Sequence, residues 1–306
     1  MVHRLQFHAM GCDMLACVDN GLDQPPAMLS EVPAWFEEWE QTFSRFRLDS
    51  ELSRLNRANS RPEPVSEAFW QVFQSALVAE QVTGGLVTPT VADAVLETGY
   101  DRDFSLLAGQ TMPPLELIAA AIHPLAAVIW DETTHSICLP EGVHLDLGGI
   151  AKGWSAHQAM RRLESCGAAL MNSGGDVAMS GPLLDGSPWE IGVFNPFNRS
   201  EYVEMLFFEE ACGVATSGRD RRRWVQGDQP RHHIIDPRSG LSAQTDVMTA
   251  TVIAPTVMEA EAAAKAVLIQ GSQAGSAWLE ADPALAGLLI LEDGQMIYSQ
   301  RMEKYL

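Results

Sequence analysis

The spacing of apolar residues changes period part-way along the chain, and that change limits the folds open to it. Two early segments carry helical stripes. In PAWFEEWEQTF, residues Trp35, Phe36, Trp39 and Phe43 fall on one side of a helix, and SEAFWQVFQSALVAE repeats the arrangement with Phe69, Trp70, Phe73 and Leu77. From residue 126 onward the apolar residues come in short alternating runs: AAVIW, SICL, VHLDL, YVEMLFF, HHIID, VMTATVIA, GLLIL and QMIYS. Two helices interrupt these strands, one from about Trp154 to Glu164 and one from about Met258 to Gln270, the second opened by the capping box Thr256 to Glu259. Strands that follow one another through turns predict an α+β fold with a largely antiparallel sheet. With 46% apolar residues in 306, the chain has enough material for one domain over residues 1–306 or for two intimately packed subdomains. No solenoid repeat, low-complexity tract or separating linker is present.

Charge narrows the function. Forty acidic residues against twenty basic ones give a net charge of −20, which repels phosphate backbones and anionic lipid, so nucleic acid is not an expected partner. The stretch MVHRLQFHAMGCDMLACVDN lacks a basic segment leading into an apolar core, and no run approaches the length of a membrane span; a cytoplasmic protein is the expectation. The cysteines, Cys12, Cys17, Cys138, Cys166 and Cys212, have no chelating or redox spacing and read as reduced packing residues.

Chemistry concentrates in HLDLGGIAKGW, residues 144–154. Alternation in VHLDL puts Val143, Leu145 and Leu147 on one face of an expected strand and His144 and Asp146 on the other. Gly148 and Gly149 then permit a tight turn into a helix expected to start at Trp154. Unpaired N–H groups at a helix start, with Lys152 beside them, suit an anionic ligand. The order of residues fits neither a Walker loop nor G-x-G-x-x-G, so a glycine-rich turn with a surface Asp–Lys pair stands as the alternative. NSGGDV (172–177), ATSGRD (215–220) and HHIIDPRSG (232–240) also place polar residues at the ends of apolar runs, where sites are built from loops. His233 reads either as a general base near neutral pH or as a histidine satisfied by its own turn.

Taken in order, AMGCD, FSRFRLDSELSRLN, VTGGLVTPTV, LDLGGIAKGW, NSGGD, VATSGRDRRRW, HHIIDPRSG and VIAPTVMEAEAAAKAVLIQG strongly resemble the ApbE-type FAD:protein FMN transferases over nearly the whole chain. The resemblance implies an ApbE-like fold and an enzyme that cleaves the FAD pyrophosphate with Mg2+. FMN would be transferred to a Thr or Ser hydroxyl of an acceptor flavoprotein, with AMP released. It implies that Met10, Phe46, Leu86, Val87, Thr88, Asp146, Lys152 and Ile234 line the FAD site, with Thr216, Ser217 and Gly218 as a turn near the flavin or phosphates. His233 matches the family's general base. The family holds magnesium with a carbonyl of the glycine-rich turn, here Gly149, and with an acid and a threonine on the late helix.

Here that helix departs from the pattern. Counting back from Gly271, Glu261 takes the place of the acid and Lys265 that of the threonine, and a protonated lysine does not ligate a hard cation. Thr88 stands where many relatives have Asp, and a basic run, Arg219 with Arg221 to Arg223, follows the TSG residues. Three readings remain open at this point: an FMN transferase in which Lys265 takes over the ion's electrostatic work, a non-catalytic FAD-binding protein with a degenerate metal site, and an FAD pyrophosphatase with water as acceptor.

Overall fold

The computed structural model describes residues 1–102, 104, 107, 111–112 and 121–306, with residues 111–112 described in the backbone alone. The chain divides into two compact units, the first made of Met1–Glu37, Lys152–Asp220 and Thr245–Leu306, the second of Glu38–Ala151 and Arg221–Gln244.

The first unit is built on an eight-stranded sheet whose spatial order follows the chain: β1 (Val2–Ala9), β2 (Cys12–Asp19), β3 (Ala168–Ser173), β4 (Asp176–Met179), β5 (Cys212–Gly218), β6 (Val247–Ala254), β7 (Ala286–Leu291) and β8 (Met296–Tyr298). Every neighbouring pair is antiparallel, as the sequence predicts. The N-terminal hairpin escapes sequence reading because β1 alternates between half-buried and exposed residues and buries none fully. Its turn is Met10–Gly11, with φ of 50° and 65° and the pair Ala9 and Cys12 opposed, the left-handed two-residue connection that suits strand twist.

On one face of this sheet, Val214, Ile253, Leu288 and Ile290 pack with Trp189, Val193, Leu206 and Phe208 of the hairpin Trp189–Phe194 and Tyr202–Phe208. Against β5 and β6 lies helix α2 (Val257–Gln270), which follows helix α1 (Ala151–Leu163) in the chain and precedes α3 (Ser272–Ala281). Helix α2 comes close because its own residues are small, with Ala260, Ala263, Ala264 and Ala266 buried, and because β5 offers Gly213. A Cβ there would lie 2.0 Å from the Val257 nitrogen. The capping box is present: the Thr256 hydroxyl accepts from the Glu259 N–H while the Glu259 carboxylate accepts from the Thr256 N–H at 2.9 Å.

In the second unit, the helix Glu67–Val82 buries Phe69, Trp70 and Phe73 of the stripe read from the sequence, with Val72 and Ala76 beside them, while Leu77 is half-buried. Ser66 caps it. Trp70 stacks on His135 with centroids 4.9 Å apart, and Phe73 meets Trp130 edge-on. The helix Val32–Phe43, whose residues to Glu37 belong to the first unit and the rest to the second, buries Trp35, Phe36, Trp39 and Phe43, as its period requires.

One expected strand is absent. VHLDL keeps its alternation, with Val143, Leu145 and Leu147 buried and His144 and Asp146 half-buried, but it joins no ladder. The Asn56 side-chain amide pairs instead with both backbone groups of Leu145 at 2.9 Å, and the Asp146 N–H donates to the Pro89 carbonyl at 2.8 Å. Period two reports an extended backbone between two environments and does not say what satisfies its hydrogen bonds. No helix among the described residues is long and apolar enough to cross a membrane.

Candidate functional site

Helix α1 begins at Ala151, three residues ahead of the start expected at Trp154, because the turn after Leu147 runs straight into it: the Ala151 N–H already donates to the Leu147 carbonyl at 2.8 Å. Lys152 therefore stands in the first turn, the end of a helix that disfavours cations. Two carboxylates offset this. The ammonium donates to Asp176 of β4 in a short contact and lies 3.5 Å from Glu261 Oε1 of α2. Burial by itself would push Lys152 down, but the carboxylates of Asp176 and Glu261 outweigh it and hold the ammonium above the ordinary lysine range.

Glu261 is the centre of the cluster. Its side chain is 2% exposed, its Oε1 accepts from Lys265 Nζ at 2.9 Å one helical turn on, and its Oε2 accepts from the Gly153 N–H at 3.0 Å. That last contact explains the glycine in AKGW: a Cβ on residue 153 would stand 2.6 Å from Oε2. Two ammonium groups and two carboxylates thus share a buried site, formally neutral and fully paired. The sequence singles out Lys152, Glu261 and Lys265; it misses Asp176 and Gly153, although NSGGD and AKGW both stand out as motifs.

The TSG residues do not form the expected turn. Thr216, Ser217 and Gly218 close β5, paired with Thr251, Ala250 and Thr249 of β6. Small residues at a strand end resemble a turn in sequence, but here the ladder takes them up. The Thr216 and Thr251 hydroxyls are 2.9 Å apart, and a Cβ on Gly218 would lie 2.5 Å from Asp220 Oδ1. Arg219 is held within the first unit: Nε donates to the Val247 carbonyl at 2.9 Å and a guanidinium nitrogen contacts Glu292. Met10 sits at the tip of the first hairpin.

A second group of expected residues lies in the second unit. Asp146 Oδ1 accepts from the Gly148 N–H at 2.7 Å, closing the turn of LDLGG, and Oδ2 lies 3.0 Å from Arg45 Nε. The Arg45 guanidinium is flanked by the rings of Phe46, at 4.2 Å, and Tyr100, at 4.6 Å. Its Nη2 is buried and has no hydrogen-bond partner among the described residues. Arg45 and Tyr100 are absent from the expected set; the first is visible only as the companion of Phe46 in FSRFR. Leu86, Val87 and Thr88 lead into a short turn of helix, where the Thr88 hydroxyl is 2.9 Å from that of Thr90 and the Val87 N–H donates to the Thr83 hydroxyl at 3.1 Å. The Asp146 to Pro89 bond draws this segment beside the glycine turn, which contains the half-buried Gly149.

The adjacent histidines differ. His232 is buried and committed, its Nε2 donating to the Ala243 carbonyl at 2.9 Å while Nδ1 accepts from the Ile234 N–H at 3.3 Å. His233 is half-buried, with its backbone N–H bonded to the Arg222 carbonyl at 3.2 Å. Ile234 is buried, and its carbonyl accepts from the Ala243 N–H.

The donors around Glu261 do not suit magnesium, which takes about six oxygen ligands and tolerates no ammonium in its shell. Both oxygens of Glu261 already accept hydrogen bonds, and Lys265 stands within 2.9 Å of one of them. Among the described residues no three His, Cys, Asp or Glu side chains gather as a metal site.

Comparison with known proteins follows the same outline. The sequence profile of the ApbE family matches residues 10–289. The chain is 28% identical to the FAD:protein FMN transferase of Salmonella typhimurium, over 85% of this chain and 75% of that protein. It is 29% identical to the transferase of the same name from Vibrio cholerae, over 89% of this chain and 82% of that one. The solved flavin transferase ApbE from Vibrio cholerae superposes with a TM-score of 0.83 at 26% identity, covering 100% of this chain and 99% of that one. The ApbE protein of Thermotoga maritima shares the fold, with a TM-score of 0.89 at 24% identity over 100% and 99% of the two chains.

Proposed function

The chain belongs to the ApbE family, and from that premise we propose that it is an FAD:protein FMN transferase. The observation that carries the reading is the family match over residues 10–289, coinciding with a buried charge cluster that holds two ammonium groups on Glu261, whose other oxygen accepts from Gly153 in the first turn of α1.

In the proposed reaction the hydroxyl oxygen of an acceptor Thr or Ser attacks the FMN-side phosphorus of FAD. A new P–O ester bond forms, the anhydride P–O bond breaks, and AMP leaves with the bonding electron pair. The hydroxyl is a poor nucleophile until its proton is taken, and His233 is the group we assign to take it. His232 is unsuited, since both ring nitrogens serve the protein's own backbone. Lys152 answers the charge of the diphosphate. Met10, Phe46, Leu86, Val87, Thr88, Asp146, Ile234, Thr216, Ser217 and Gly218 are the residues we assign to FAD contact. Arg45 joins them because its buried Nη2, without a hydrogen-bond partner among the described residues, offers a donor to an incoming acceptor atom.

Incubating the protein with FAD and a threonine-bearing acceptor flavoprotein should give an acceptor heavier by one FMN phosphoester in mass spectrometry, with one AMP released per adduct. Free FMN and AMP without adduct would identify a pyrophosphatase, and unchanged FAD a binding protein. The variant His233→Ala should lower kcat roughly 100-fold or more and leave FAD affinity within about two-fold.

A further inference from the structure

Resting on the transferase reading, we propose that Lys265 is a built-in replacement for a divalent cation, so that this protein holds the FAD diphosphate with fixed ammonium groups and works without magnesium. The carboxylate that would ligate the ion is spent within the fold. Glu261 Oε1 binds Lys265 at 2.9 Å and lies 3.5 Å from Lys152, while Oε2 holds the Gly153 N–H at 3.0 Å. With Asp176 paired to Lys152, the cluster of two cations and two anions is balanced. A divalent ion entering it would find both Glu261 oxygens already holding donors and would face two ammonium groups at close range.

The same arrangement leaves the lysines able to meet an anion. An ammonium has three donors. Lys265 uses its donors on Glu261 Oε1 and, at 3.4 Å, on the Glu261 carbonyl, and its side chain keeps 19% of its surface exposed. Lys152 keeps 18%. Each ammonium can add a charge-assisted hydrogen bond to an anionic phosphate oxygen while it stays paired with its carboxylate, although neither supplies the Lewis-acid coordination of a metal. Glu261 then acts as a positioning residue that holds Lys265 in one rotamer across one helical turn.

Three measurements test the proposal. Mn2+ serves as the probe ion: electron paramagnetic resonance on protein stripped with chelator should detect no bound Mn2+, with or without FAD. FAD affinity from flavin fluorescence should differ less than about three-fold between chelator and excess Mg2+, and adduct formation should continue in chelator. Replacing the ammonium by Lys265→Met should weaken FAD binding in chelator roughly tenfold or more, while Lys265→Arg retains most of it. Lys265→Thr should acquire a Mn2+ signal together with Mg2+-dependent FAD binding. One Mn2+ bound per wild-type protein–FAD complex, or wild-type FAD binding abolished by chelator and restored by Mg2+, overturns the proposal and leaves the transferase reading standing. Failure of the wild type to bind FAD under either condition overturns the transferase reading, and the proposal with it.

Discussion

Glu261 shows how much of the site depends on a single buried charge. It is 1% exposed, and three donors converge on its carboxylate: two ammonium groups and a backbone N–H. Removing one member of a buried ionic cluster costs more than the cluster contributes, because the remaining charges lose their counterpart. Glu261→Gln should therefore lower the unfolding free energy by about 3 kcal/mol in urea titrations at neutral pH. The double variant Glu261→Gln with Lys265→Met should recover part of that loss, since it removes a cation along with its anion. At this scale Lys152, Glu261 and Lys265 are legible from residue type and spacing. Asp176 is not, because it lies 24 positions from Lys152 and only the pairing of β3 with β4 sets it at the start of α1.

Elements join residues through ends as well as faces. The N-cap of α3 is Gly271, which has no side chain to offer, and Asp246, ahead of β6, supplies the missing acceptor. Its Oδ1 takes the Ser272 N–H at 2.9 Å and its Oδ2 the Ser272 hydroxyl at 2.5 Å. The Ser272 hydroxyl above all holds the Asp246 carboxyl below its ordinary range; partial burial opposes this, while the Ser272 N–H and Arg219 reinforce it. A depressed carboxyl contributes stability above the unfolded-state value, near 4, and loses it as pH falls through the native value. Asp246→Asn should thus cost no more than about 1 kcal/mol at pH 7, since the carboxylate is solvent-exposed, and the difference from wild type should vanish toward pH 2. Urea midpoints across that range check the trend. Helix α2 was legible down to its capping box, since period and caps are local. The strand expected at VHLDL and the turn expected at Thr216 to Gly218 were exchanged in the fold, because partners distant in sequence settle which extended segments enter a ladder.

For the molecule as a whole, the eight-stranded sheet draws on three separated stretches of chain, and burial differs between its centre and its β1 edge. Residues of β7 are buried throughout and bonded on both sides, whereas β1 has a single strand partner among the described residues and buries no residue fully. Native-state hydrogen exchange should find the amides of Val214, Val252 and Leu289 slower than those along β1 by roughly 100-fold or more. Comparable protection in β1 would mean that the sheet opens as one unit. The class of fold, the antiparallel character of the sheet, the principal helices and the family were all determined by the sequence alone, because each rests on period, capping or motif order, which neighbours along the chain carry. Only the tertiary structure decided that Lys265 binds Glu261, that Asp176 answers Lys152, that Arg45 stacks beside Phe46, and that the TSG residues are strand. A buried charge is defined by the partners that desolvate and pair with it, and those partners come from segments that only the folded sheet and its helices bring into contact.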